Sequence, residues 1–148
     1  VLCVATPGCT DPAKPKQTAD PAEQLKQPVG LSNTDPCAMR MHDICGALLL
    51  YYFQHAELPE RLQDLTALPG LDAPLEFTCP ESKQPYIYES RGIAIPERKS
   101  FVIVYDPAPS HSGMRWAILI EQPVPGEPLV TKVIPLAERF FIMKPARR

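Results

Sequence analysis

The sequence predicts an α+β domain: one long N-terminal helix and a second short helix packed on a three- to four-stranded antiparallel sheet, with a short C-terminal helix closing the chain. Three observations carry that expectation. Apolar residues recur at helical spacing between residues 36 and 56, and the spacing changes to alternation beyond residue 84. Nineteen prolines cut the chain into short pieces, at about two to three times ordinary usage. Such a density argues against a long helical bundle.

Length and charge bound the rest. With 148 residues the chain suits one domain around a modest core. The net charge of −2, with acidic and basic residues interspersed, leaves no footprint for a polyanion. The aromatic residues are not interleaved with basic ones, so no base-stacking platform and no nucleic-acid partner are expected. The most apolar run, Ile44 to Phe53, falls short of the roughly 20 residues a membrane-spanning helix needs.

Residues 1–34 read as a proline-rich disordered tail or linker without periodic apolar signal. The opening VLCVATPGCT has the character of a secretory signal remnant, or of a lipoprotein start in which Cys9 is the candidate lipidation site. The alternative is an unmodified tail cysteine. A membrane is expected as a partner only through such an anchor, and either leader places the domain outside the cytoplasm. The globular domain is expected over residues 35–143, and residues 144–148 form a basic tail.

Asp35 and Pro36 start the long helix: the aspartate caps free amides, and proline stands where its missing donor costs nothing. Met41, Ile44, Cys45, Leu48 and Tyr52 form its apolar stripe. Leu49, Leu50, Tyr51 and Phe53 widen the stripe nearly all round, which calls for cover on more than one side. Cover by the sheet and another element is the expectation; left uncovered, these four residues make a partner surface. Leu58 to Leu65 reads as a second short helix with Pro59 in its first turn, ended by Leu68-Pro69-Gly70. Strands are expected at Gln84–Ser90, Ser100–Tyr105, Met114–Glu121 and Leu129–Ile134. Arg91-Gly92 reads as a turn, Pro135 as the stop of the fourth strand, and Leu136 to Met143 as the closing helical turn.

No arrangement with a catalytic signature stands out. The cysteines lack the closely spaced pairs that bring ligands together on one metal ion, so no metal or cofactor is expected. Cys37 and Cys45 lie two helical turns apart, roughly 12 Å, and cannot bridge each other. Cys45 and Cys79 are the candidate disulfide, with buried free thiols as the alternative. His42 and His55 are too far apart on one helix to share a metal. His111 lies in a loop with Ser110, Ser112 and Asp106, the residue types of a hydrolase triad. No nucleophile elbow accompanies them, so a solvated turn is the expectation and no catalytic residue is assigned.

The order of motifs resembles the globular part of type II secretion pseudopilins, the general secretion pathway major pseudopilins. Those motifs are the helix end Tyr51-Tyr52-Phe53-x-His55, then Leu58-Pro59-x-x-Leu62-x-x-Leu65, then Cys79-Pro80 and Pro85-Tyr86-x-Tyr88. Val104-Tyr105-Asp106-Pro107 through Trp116 to Val130-x-x-Val133-Ile134-Pro135 is similar to pseudopilin-like proteins of planctomycete-type bacteria. The resemblance covers about residues 38–142. It implies a pilin fold, an extracytoplasmic location and a structural, non-enzymatic role in protein contacts with the cell envelope or secretion machinery. The acidic calcium loop of major pseudopilins has no counterpart among these residues; the prepilin peptidase site and the glutamate-bearing filament helix of that family stand ahead of the part that the resemblance covers. Two alternatives stay open: a small enzyme or sensor using Cys79 or His111, and a periplasmic module binding a small ligand between helix and sheet.

Overall fold

A computed structural model describes residues 32–71, 73–96 and 98–142. Cys9, most of the expected linker and the basic tail lie outside these residues. The domain is α+β with one four-stranded antiparallel sheet. Among the described residues no helix is long and apolar enough to cross a membrane.

Helix α1 spans Pro36–His55. The Asp35 carboxylate accepts from the Cys37 amide at 2.8 Å and the Ala38 amide at 3.4 Å, which satisfies two of the free donors of the first turn. Cys37, Ala38, Met41, Ile44, Cys45 and Leu48 fall on one buried face. The helix ends at Ala56, which turns left-handed and donates its amide to the Tyr52 carbonyl at 2.8 Å.

The second helix is a 3-10 helix over Leu62–Ala67, later and tighter than an α-helix starting at Leu58. The Asp64 carboxylate captures the Arg61 amide at 2.9 Å and so starts the turn after Pro59 rather than at it. Leu62 and Leu65 are buried and staple this segment to the core.

Strands β1 (Ile87–Ala94), β2 (Ser100–Tyr105), β3 (Met114–Glu121) and β4 (Thr131–Ala137) form a meander in that spatial order. The second and third strands match their expected limits, and the other two depart from theirs. Residues ahead of β1 pair with the chain before them: Thr78 bridges Pro85, and the Tyr86 amide donates to the Phe77 carbonyl at 2.8 Å. Gly92 does not end β1. It lies inside the strand at φ 69°, within an irregularity between Tyr88 and Ile93. Pro135 does not stop β4, which runs through it, opposite Trp116 on β3. A proline is tolerated there because β4 is an edge strand, whose outward backbone needs no donor for a neighbour.

Each face of the sheet has its own apolar cluster. Helix α1 packs across β3 and β4. Ile103, Val104, Trp116, Ile118 and Ile120 join the helix stripe on this side. Val102, Ala117 and Leu119 face the other way, where Tyr105, Phe140 and Phe141 pack on them. The two phenylalanines belong to α2 (Glu138–Ile142), the short closing helix. Strand β2 changes phase along its length: the register to β3 slips between Val102 and Val104. Ile103 and Val104 therefore both lie with the helix-side cluster, and Tyr105 lies with the opposite one.

Gly92 tests how tightly this sheet is built. A Cβ there would lie 2.6 Å from the Phe101 Cβ, whereas at Gly126 it would meet nothing within 4 Å, although both glycines have positive φ. Gly92→Ala is expected to cost more than about 2 kcal/mol, against ~1 kcal/mol for Gly126→Ala. Urea unfolding of the two variants measures the difference.

Candidate functional site

Four side chains from four separate stretches meet at one end of the sheet, beside the start of α1. Cys37, Cys79, Asp106 and His111 are all buried, and one ligand-type atom from each lies within 4.8 Å of every other. Each stretch delivers its residue for a local reason.

Cys37 sits in the first turn of α1, directly above the Asp35 cap. Cys79 stands at the base of the turn between Phe77 and Tyr86. Its amide donates to the Gln84 carbonyl and its carbonyl accepts from the Lys83 amide, both at 2.9 Å. Lys83 adopts a left-handed φ of 58° to close that turn, and the Ser82 amide points at the Cys79 sulfur from 3.4 Å. Arg40 of α1 donates to the Thr78 carbonyl and pairs with Glu76, which holds the turn against the helix.

Asp106 follows β2, one residue beyond Tyr105. The phase change at Val102–Val104 decides its side: strict alternation from Ile103 would turn it away from α1, and the slipped register turns it toward α1. His111 precedes a two-residue turn in which Ser112 and Gly113 both have positive φ. His111 and Met114 exchange both backbone hydrogen bonds across that turn, at 3.3 and 3.0 Å. The expected solvated loop is corrected here: His111 is only 7 % exposed and its ring meets Trp116 edge-on. The Ser-Gly pair makes a tight hairpin that turns the imidazole inward.

Arg115 clamps this end of the sheet. It donates to the backbone carbonyls of Asp106 at 3.0 Å and Pro107 at 2.5 Å, and its other nitrogens form a two-point pair with Glu138 at 2.5 and 2.7 Å. The Glu138 carboxyl is held below its ordinary range, chiefly by the hydrogen bonds from Arg115, and the guanidinium is raised by the same contact.

Within the cluster, Asp106 is fully buried and accepts from the Trp116 amide at 2.9 Å and from the Cys37 thiol at 3.1 Å. The oxygen that accepts from Trp116, Oδ2, also lies 3.3 Å from His111 Nε2, and the opposite ring nitrogen, Nδ1, lies 3.3 Å from the Asp35 carboxylate. The Cys37 sulfur lies 3.3 Å from that of Cys79 and 3.1 Å from the Tyr86 hydroxyl. Burial pushes the Cys37 thiol strongly upward; the Tyr86 hydroxyl opposes that shift and the Asp106 charge adds to it.

A hydrolase triad does not form. Both His111 nitrogens face carboxylates, and the buried Ser110 hydroxyl has no hydrogen-bond partner among the described residues, so the serine has no base; the Cys79 sulfur lies 3.9 Å from His111 Nε2. The Cys45–Cys79 disulfide is also corrected. Cys45 lies two turns further along α1 and donates to the Thr131 hydroxyl of β4 at 2.9 Å. Cys37, not Cys45, is level with Cys79, because the turn carrying Cys79 packs on the first turn of the helix. All three described cysteines are free thiols. Sequence spacing alone does not announce this convergence of metal-ligand types. The one sequence signal for it is the presence of Cys, Asp and His residues at element ends, where a fold can bring them together.

A second feature lies at the far end of α1. Leu49, Leu50, Tyr52 and Phe53 form one wall of a cleft of about 890 Å³, and the proline-rich segment Pro123–Leu129 forms the other. Phe53 is 87 % exposed and Leu49 37 %, so the expected cover of this half of the helix is incomplete. Tyr51 turns aside from the cleft and stacks on His55 at 4.3 Å.

Comparison with known protein families, curated proteins and solved structures finds no match.

Two expectations follow. Asp35→Ala removes both the helix cap and the His111 partner and is expected to cost more than the ~1 kcal/mol of a cap alone. Asp35→Ser restores only the cap, so denaturant midpoints should rank wild type, serine, alanine. Glu138 has a folded-state pKa below its ordinary 4.5, so its pairing contributes stability above that range and loses it as pH falls through it. Glu138→Gln should therefore destabilise at neutral pH and lose less on acidification than wild type, read from thermal midpoints across pH 2–7, about the span of carboxylate titration.

Proposed function

We propose that this chain is a non-enzymatic, extracytoplasmic, pseudopilin-like domain that works through protein contacts in secretion or envelope assembly. The observation that carries the reading is the apolar cleft at the end of α1. Leu49 and Phe53 are four residues apart and form a ridge on one helix face, and the cleft beside them is framed by prolines that stiffen its far wall. Ridges and grooves of this kind seat an amphipathic helix, whose apolar residues fill the groove. Glu127 on the far wall favours a partner helix with a basic flank. The occupant is thus an amphipathic, basic-flanked helix of an envelope protein.

The motif order from residue 38 to residue 142 supports the family reading, as does a helix laid on a four-stranded antiparallel meander. The non-enzymatic reading is supported by the other end of the molecule. Nucleophilic cysteines are exposed, whereas Cys37 and Cys79 are both fully buried.

The test is site-specific photo-crosslinking from position 53 in cells, with the full chain. The expected product is a crosslink to one envelope protein, mapped to a helical segment. That product should fall about tenfold, ~1.4 kcal/mol of binding, when Leu49→Glu is added, with the far-ultraviolet circular dichroism unchanged. Crosslinks scattered over unrelated proteins, crosslinks to this chain's own tail, or a product indifferent to Leu49→Glu would each overturn the reading.

A further inference from the structure

We propose that Cys37, Cys79, Asp106 and His111 bind one zinc ion as a closed, four-coordinate structural site. Tetrahedral zinc with thiolate sulfurs at ~2.3 Å and nitrogen or oxygen at ~2.0 Å sets neighbouring ligand atoms about 3.3 to 3.8 Å apart. One ligand atom from each residue lies within 4.8 Å of every other. The two sulfurs are 3.3 Å apart and Cys79 Sγ is 3.9 Å from His111 Nε2, which straddles the edges of such a tetrahedron. The Asp106 carboxylate lies against both remaining groups, Oδ1 at 3.1 Å from Cys37 Sγ and Oδ2 at 3.3 Å from His111 Nε2, so either oxygen is placed to be the fourth ligand. The sulfurs are too far apart for a disulfide, which requires about 2.05 Å.

The surroundings fit ligands better than a hydrogen-bonded core. The Cys37 sulfur has the Cys79 sulfur at 3.3 Å and an Asp106 oxygen at 3.1 Å, so two sulfurs and a carboxylate, all ligand types for one cation, crowd together inside the domain. His111 Nδ1 faces the Asp35 carboxylate, which fixes the proton on that nitrogen and turns the Nε2 lone pair toward the cluster. A carboxylate behind a ligating imidazole is the usual second layer of a zinc site. The Tyr86 hydroxyl on Cys37 and the Ser82 amide on Cys79 are placed to donate to thiolates. The Trp116 amide donates to the Asp106 oxygen.

On binding, both thiols release their protons to solvent. Two thiolates and one carboxylate then leave one net negative charge on the zinc-bound cluster, at the positive end of α1. The thiolate pair selects zinc over magnesium or calcium, whose preferred ligands are all oxygen. Four protein ligands leave no position for a reacting water, so the role is structural. The ion ties the first turn of α1 to the Phe77–Tyr86 turn, the end of β2 and the β2–β3 hairpin. This site is independent of the apolar cleft and of any partner there.

The test uses the full chain, reduced and exchanged into Zn²⁺, with metal content measured after gel filtration. About one zinc per chain is expected. X-ray absorption should show two sulfurs at about 2.3 Å and two nitrogen or oxygen atoms at about 2.0 Å. Cys79→Ser and His111→Ala should lose the bound metal, whereas Cys45→Ser and the double change Cys3→Ser, Cys9→Ser should keep it. Because the first two variants risk misfolding, the X-ray absorption shell of the wild type is the deciding measurement. A shell without sulfur, a shell of more than two sulfurs, no zinc retained by the reduced wild type, or loss of zinc only on removing Cys3 and Cys9 would overturn the proposal.

Discussion

A carboxylate wholly removed from water, Asp106, is the constraint on which this end of the molecule depends. An isolated buried charge costs many kcal/mol, so such a group persists only where every face of it is answered. Asp106 is answered by the Trp116 amide from β3, the Cys37 thiol from α1 and the His111 ring from the hairpin. Arg115 holds the Asp106 backbone from outside. Three separate pieces of chain must therefore be in place together. That requirement couples the start of the helix to the middle of the sheet much more tightly than apolar contact alone would.

The helix has two unlike ends. Its amino end is closed and polar, with Asp35, Cys37, Cys79, Asp106 and His111 in contact with one another. Its carboxyl end carries an apolar ridge that the sheet covers only in part, with Phe53 standing in solvent. Between them the buried stripe of Met41, Ile44 and Leu48 anchors the helix on β3 and β4. A rigidly seated helix presents an exposed ridge at a defined position, which a loosely packed one would not. The closed end and the open end are thus complementary parts of one element: the first fixes the geometry that the second displays.

Much of the architecture was legible because it rests on local rules. Asp35-Pro36 announced the helix start, and alternation located β2 and β3 with their ends correct. The errors share one cause, which is that they turn on neighbours. Pro135 is acceptable in β4 only because nothing pairs with its outer edge. Gly92 stays within β1 because its positive φ and bare Cα accommodate the Phe101 side chain. Cys37 and Cys45 share one helix face, and spacing does not say which of their two turns the Cys79 segment meets; it meets that of Cys37. The Thr131 partner of Cys45 lies on a strand that no spacing in α1 announces.

Composition and periodicity by themselves determined that the chain forms an α+β domain, where its helix begins, which residues line its stripe and which of its segments are strands. Those properties are set by short-range backbone preference and by the period at which side chains return to one face. The convergence of Cys37, Cys79, Asp106 and His111 was decided by the tertiary structure alone. Their positions in sequence follow no ligand spacing, and the side on which Asp106 emerges depends on one slipped residue in the pairing of β2 with β3. A slip of that kind is a property of two strands together, so neither strand's own sequence records it.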